Sequence, residues 1–396
     1  MNGVSKPLNG LLSLSTRTNF LNDVKKNPLL SSILQEAKPS PETVNAPSTL
    51  PLNILPKQEI YDQVARENPE ASSHGLKFKQ SFGYAKSLMK FYKSGVTNVW
   101  NNHKLVQDLR KKGYQLQHVD RRGNEQAIRI PSFKVLTQEM SQQLYVVKTQ
   151  KLATKEEGEV IKHNSTEGEK LFNLTRAQYQ LMNRTPRDFY KLPMFGLIFA
   201  IFMEMTPLVC YAIPELTPLT CVLPSILPRM WNTKIVKQLL QAATRPDKQA
   251  QNAYNLPIEE VRILCKSLRI SSKYLPSFVY PETYLRNQLQ HYYNYLKVDN
   301  YYLSGLNGGG NVWNMTNQEV MEASLERLLI DDLAKVTKEF DAIKNEVERA
   351  EKETSYFNEL RVRLAKFVVE FENFNVGYLG RESMADADIK KIMEWR

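Results

Sequence analysis

Residues Met194–Ile213 (MFGLIFAIFMEMTPLVCYAI) are apolar on every face of a helix except for one carboxylate, Glu204. Twenty residues at the helical rise cover about 30 Å, the thickness of a bilayer's hydrocarbon core. Glu204, Pro207 and a mean hydropathy of −0.44 fit a buried core helix of a soluble protein as well. Length and the flanking Pro193 and Pro214 favour lipid, because core helices of this composition run to only about 10–14 residues. The expectation is one membrane span at residues 192–215, around which the rest of the chain is organised.

Charge is spread unevenly about that segment. Residues 1–75 are neutral, residues 76–191 carry a net +12, residues 192–316 carry +4, and residues 317–396 carry −5. A basic half upstream of a span suggests anionic headgroups or nucleic acid. Cys210, Cys221 and Cys265 form neither an even set nor a C-x-x-C pair, so disulfides and a zinc site are not expected. Lys6, Arg17, Lys25 and Lys26 stand against one acid, Asp23, in the first 26 residues. Both a mitochondrial presequence and a disordered terminus fit that balance.

Along the chain, residues 1–75 read as a presequence and disordered linker, the stretch from 27 being rich in Pro, Ser, Asn and Glu. Residues 76–191 read as a basic helical region. Phe78, Phe82, Ala85, Leu88 or Met89, and Tyr92 recur at helical spacing from Leu76 to Lys112. Tyr114–Val119 and Ala127–Phe133 flank a Gly-containing turn and predict a small β-hairpin insertion. Thr137–Val147 and Glu167–Met182 return to helix, and Thr185-Pro186 reads as a new helix start. Beyond the span, the closely spaced prolines of Leu216–Met230 suit an interfacial or protein-packed stretch. Pro257 opens a further helix, Pro281–Leu296 another, and Gly308–Gly310 is a break. These complete a helical domain over 216–315.

Residues 316–396 form the C-terminal region, where Thr316 and Glu319 make a capping box. No Pro or Gly interrupts residues 320–376. Val336, Ile343, Ala350, Phe357, Leu364 and Phe371 fit heptad position a, while Phe340, Val347, Thr354 and Val368 fit d. This is a long or coiled-coil helix, packed on its own protein or on a second copy.

Glu204 is the residue with the sharpest chemistry. A charge at mid-span costs several kcal/mol, so the carboxyl must be neutral, paired or facing water. Pro207 cannot donate to the carbonyl of Met203, which adds a second polar group beside it. The pair suits an ion or proton pathway, or a neutral Glu that fixes helix packing. Arg176, Arg184 and Arg187 are candidates for lipid phosphates, or form a solvated basic face. Asp188 and Lys191 lie one turn apart. No catalytic constellation and no metal-ligand spacing emerges, so no enzyme, metal or cofactor is expected.

The segment Leu174-Thr175-Arg176 … Asp188-Phe189-Tyr190-Lys191-Leu192-Pro193 … Phe202-Met203-Glu204 … Pro207 … Leu223-Pro224-Ser225 resembles the LETM family of mitochondrial inner-membrane proteins. The likeness extends through Leu264–Leu268 and Leu285–Leu289, and upstream to Phe82–Val106. The insertion over about residues 113–163 and the lack of an EF-hand calcium loop mark a divergent, fungal-type member. The resemblance implies a mainly α fold with a single-pass helix, a soluble part similar to 14-3-3 proteins, and a matrix-side C-terminal part. It also implies matrix cation homeostasis by potassium/proton exchange, as an oligomer or as a factor of the exchanger. The alternative it implies is a membrane-tethered factor that binds mitochondrial ribosomes and assists membrane protein insertion. Expected partners are inner-membrane lipids, the ribosome and further subunits, not DNA.

Overall fold

Ser73–Lys112, forty residues without proline, form the longest helix (α2), preceded by α1 (Lys57–Glu67). The computed structural model describes residues 44–70, 72–112, 115–119, 125–129, 132–142, 144, 174–202, 205–231, 252–303, 312–330, 332–343 and 345–374. Within them the chain is mainly helical. Strands β1 (Gln115–Val119) and β2 (Glu125–Arg129) pair antiparallel, Leu116 opposite Ile128. Residues 133–142 are helical.

Then come α3 (Arg176–Phe202), α4 (Thr206–Ala212), α5 (Leu227–Met230), α6 (Ile258–Ser267) and α7 (Glu282–Leu303). The chain continues through α8 (Asn317–Leu325), α9 (Leu333–Asp341) and α10 (Glu346–Phe374). It divides into two compact units. One comprises Met1–Asn45, Gly113–Tyr179 and Trp231–Arg396; the other comprises Ala46–Lys112 and Gln180–Met230.

Several expectations are corrected. Residues 192–215 do not form one helix among the described residues: α3 is described to Phe202, α4 spans Thr206–Ala212, the chain leaves helical conformation at Ile213, and a 3-10 turn follows at Pro214–Leu216. Pro207 lies in the first turn of α4, where its missing N–H leaves nothing unsatisfied. Among the described residues no helix is long and apolar enough to cross a membrane. The disordered linker expected over 27–75 is, from residue 44, ordered: Val44, Ala46, Leu50 and Ile60 are buried. Thr185-Pro186 starts no helix, because α3 runs through both Pro186 and Pro193.

The single helix expected beyond residue 320 is three helices. Leu328 takes φ 58°, and the amides of Leu328 and Leu329 donate to the carbonyls of Leu325 and Ser324, a Schellman stop built without glycine. Asp332 then caps α9 through the Lys335 amide. Thr316 does cap α8, accepting from the Glu319 amide at 3.3 Å, and the Glu319 carboxylate joins an ion cluster through Oε2. The far half of α10 buries Leu360, Leu364, Phe367 and Val368 within its own unit, while Val347 and Ala350 near its start are exposed.

Four buried charges hold the larger unit together. Arg176 Nε donates to Asp299 Oδ1 at 2.7 Å, and its Nη1 reaches the Val44 carbonyl at 2.8 Å and Glu319 Oε2 at 3.4 Å. Arg327 Nη2 donates to Asp299 Oδ2 at 2.6 Å and to Asn300 Oδ1 at 2.9 Å. Tyr292 and Tyr295 donate to the backbone and carboxylate of Glu326 beside them. Burial by itself would raise the Asp299 carboxyl, yet the two guanidiniums outweigh it and hold the group well below the usual carboxylate range.

A carboxyl lowered on folding stabilises the fold fully above its unfolded value of about 4 and loses that contribution as pH falls below it. Thermal melts of the full chain should show the transition temperature falling through that acid window. Asp299→Asn leaves two buried guanidiniums short of a counter-charge and is expected to cost about 3–5 kcal/mol, with that share of the acid dependence gone.

Candidate functional site

The smaller unit is built on α2 and α3, which pack antiparallel. Tyr92 meets Phe195 and Phe199 at ring separations of 5.8 and 6.1 Å, whereas Trp100 and His103 meet Phe189 at 6.0 and 3.6 Å. Leu88, Phe91, Val99 and Val106 complete the buried stripe of α2 at helical spacing. The proline-rich chain after α4 closes over this pair. Asp188 Oδ2 accepts the Leu219 amide at 2.9 Å, Lys191 Nζ donates to the Thr217 carbonyl at 3.2 Å, and Thr220 Oγ1 donates to the Gly95 carbonyl at 3.1 Å.

Gly95 permits that contact. A Cβ there would stand 2.7 Å from Cys221 Sγ and 3.0 Å from the Thr220 carbonyl oxygen. Cys210, Cys221 and Tyr92 lie in the same interior, and burial pushes the Cys221 thiol up to about 12 and raises that of Cys210 and the Tyr92 hydroxyl.

Half of the apolar segment has no protein over it. Met194, Leu197, Ile201 and Phe202 on α3 are exposed, Ile201 to 64%. Met205, Leu208, Tyr211 and Ile213 on and around α4 are exposed as well. Nothing lies within 4 Å of where a Cβ on Gly196 would be, so the face is open down to its backbone. On the neighbouring helix, Phe78 is 72% exposed and Phe82 and Met89 are also open. Lys86, Lys90 and Lys93 stand exposed along the same helix. Exposed apolar side chains in this number, in one unit with exposed lysines, suit a contact with lipid or another macromolecule.

The expected site residues are scattered by the structure. Glu204 lies outside the described residues. Pro207 is half-buried. Arg176 is buried in the ion cluster, and Arg184 is buried with Nη1 on Thr49 Oγ1 at 3.2 Å, so neither is presented to a lipid phosphate. Arg187 is exposed. Asp188 and Lys191 both serve the turn after α4, with Leu192 and Pro193 beside them, while Leu223 is buried and Pro224 opens a short 3-10 turn. Phe78 and Phe82, which recur at helical spacing with Tyr92, are surface residues, whereas Tyr92 is buried.

These features define a helical protein with an uncovered apolar face on one unit and a buried ion cluster in the other. A family model described as the pentamidine resistance factor domain matches residues 44–306. The chain belongs to that family, which is a mitochondrial one. The match overturns the LETM resemblance: the helix, Pro and basic-residue spacing that suggested LETM belongs to a different mitochondrial family. No curated protein and no solved structure matches the chain.

Gly95→Ala is expected to lower stability by about 1–3 kcal/mol, read as a drop in the melting temperature, because the carbonyl it would strike belongs to rigid backbone. Buried thiols raised by desolvation are poor nucleophiles. All three cysteines, Cys265 included at about 12, should resist a thiol reagent near neutral pH and react only on denaturation.

Proposed function

We propose that this protein is a membrane-docked binding factor of the mitochondrial inner membrane, seated by the open face of α3 and α4. The observation that carries the reading is that face itself, lying in one unit with the lysines of α2. Lipid tails cover apolar side chains, and each lysine near an anionic surface adds about 1 kcal/mol. Potassium/proton exchange drew its support from the LETM resemblance, and a transport path needs several helices around a cavity. Ribosome binding drew on the same resemblance; the docked factor needs only the open face, and its expected partners are inner-membrane lipids.

The test is flotation of the full chain with phosphatidylcholine vesicles with and without cardiolipin. Binding is expected, stronger with cardiolipin. Leu197→Asp/Ile201→Asp should weaken it at least about tenfold, since each apolar side chain buried contributes about 1.5–3 kcal/mol. Lys86→Gln/Lys90→Gln/Lys93→Gln should remove the preference for cardiolipin. Equal flotation by the double-Asp variant would overturn the reading, as would a wild-type chain that stays at the bottom of the gradient.

A further inference from the structure

We infer that the larger unit carries its own lipid-inserting element, the loop from Ser271 to Pro281 between α6 and α7. The inference shares its ligand class with the proposed function but rests on other residues.

The loop is built to stand out from the unit. Helix α6 ends at Ser267, and just past its cap Arg269 takes φ 58°, while Ile270 and Arg269 donate back to the carbonyls of Cys265 and Lys266. Pro276 and Pro281 stiffen the return. The Ser272 amide donates to the Tyr280 hydroxyl at 3.1 Å across the base, and the Tyr280 ring stacks on Tyr284 at 6.1 Å. At the tip, the 3-10 turn Ser277–Val279 leaves Phe278 78% exposed, with Leu275 and Val279 open beside it. A stiff loop that displays its largest apolar side chain is maintained against the hydrophobic effect.

Charge selects the occupant. Residues 261–280 contain Arg262, Lys266, Arg269 and Lys273 and no acid. Glu259 is paired with Arg262, and Glu282, just past the loop, with Arg286. With Glu260 counted, residues 259–286 hold five cations against three acids, so the segment that carries the apolar tip is net positive, which is complementary to hydrocarbon beneath anionic headgroups. Single-stranded nucleic acid would need open ring faces along a positive groove. Here the Tyr280 and Tyr284 rings face each other, Lys273 Nζ lies over the Tyr274 ring at 5.0 Å, and much of the tip is aliphatic.

The three native cysteines are buried, so one introduced surface cysteine can carry an environment-sensitive dye selectively. Val279→Cys probes this loop, and Ala200→Cys probes the face of α3, each in the full chain with cardiolipin-containing vesicles. A blue shift and rise in emission at position 279 is the expected result. A shift at 200 without one at 279 overturns this inference and leaves the proposed function standing. A shift at 279 without one at 200 does the reverse, and silence at both overturns both. As a second measurement, Phe278→Asp should reduce vesicle binding several-fold while Phe278→Leu retains it. Full binding by the Asp variant would overturn the inference.

Discussion

Proline decides what the apolar segment can be. A helix continued through Pro207 would lose the bond to the Met203 carbonyl and crowd it with the pyrrolidine ring. The chain instead begins α4 there, at a position where proline is harmless. Pro214 then opens a 3-10 turn, and the chain returns over α2 at Gly95. Among the described residues the stretch leaves helical conformation at Ile213, and none of its helices is long and apolar enough to span. It keeps an apolar surface that its own unit covers on one side only.

The larger unit rests on a different device. Asp299 lies between Arg176 and Arg327, with Glu319 completing neutrality, and the four come from residues far apart in sequence. Such a cluster adds less stability than an apolar core of equal volume, but breaking it is costly because each charge left behind is buried. Its value here is registry. Arg176 also holds the Val44 carbonyl, so the start of the family-matched region is tied to α7 and α8.

Local signals carried the helices whose ends are marked by residue type. Pro257 opens α6, Thr316 caps α8, and the spacing of Ala85, Leu88 and Tyr92 predicts α2. What was not legible depended on distance or on context. Nothing near Arg176 announces Asp299, 123 residues away, so a buried ion partner read as a lipid ligand. Leu328 ends a helix in a conformation usually left to glycine, at a cost of about 1–2 kcal/mol that a search for Gly and Pro does not detect. Apolar periodicity places Phe78 and Phe82 on one face of α2, but periodicity does not say which face another element covers. The same limit applied to Met194–Ile213, where apolar character was plain and its division was not.

For the proposed docking, the orientation of the smaller unit at a membrane follows from where its charges lie. Because α2 and α3 run antiparallel with Tyr92 between Phe195 and Phe199, Lys90 and Lys93 sit level with the middle of the apolar face rather than beyond its end. Driving α3 perpendicular into the bilayer would carry those ammonium groups into hydrocarbon, at about 2.5–3.5 kcal/mol for each that reached the centre. Laying the helix pair along the interface costs nothing of the kind: lysine stems lie on apolar surface while their heads reach phosphate. Within that proposal, an interfacial seat accounts for the open face and the lysines together, and a perpendicular one accounts for the apolar side chains alone.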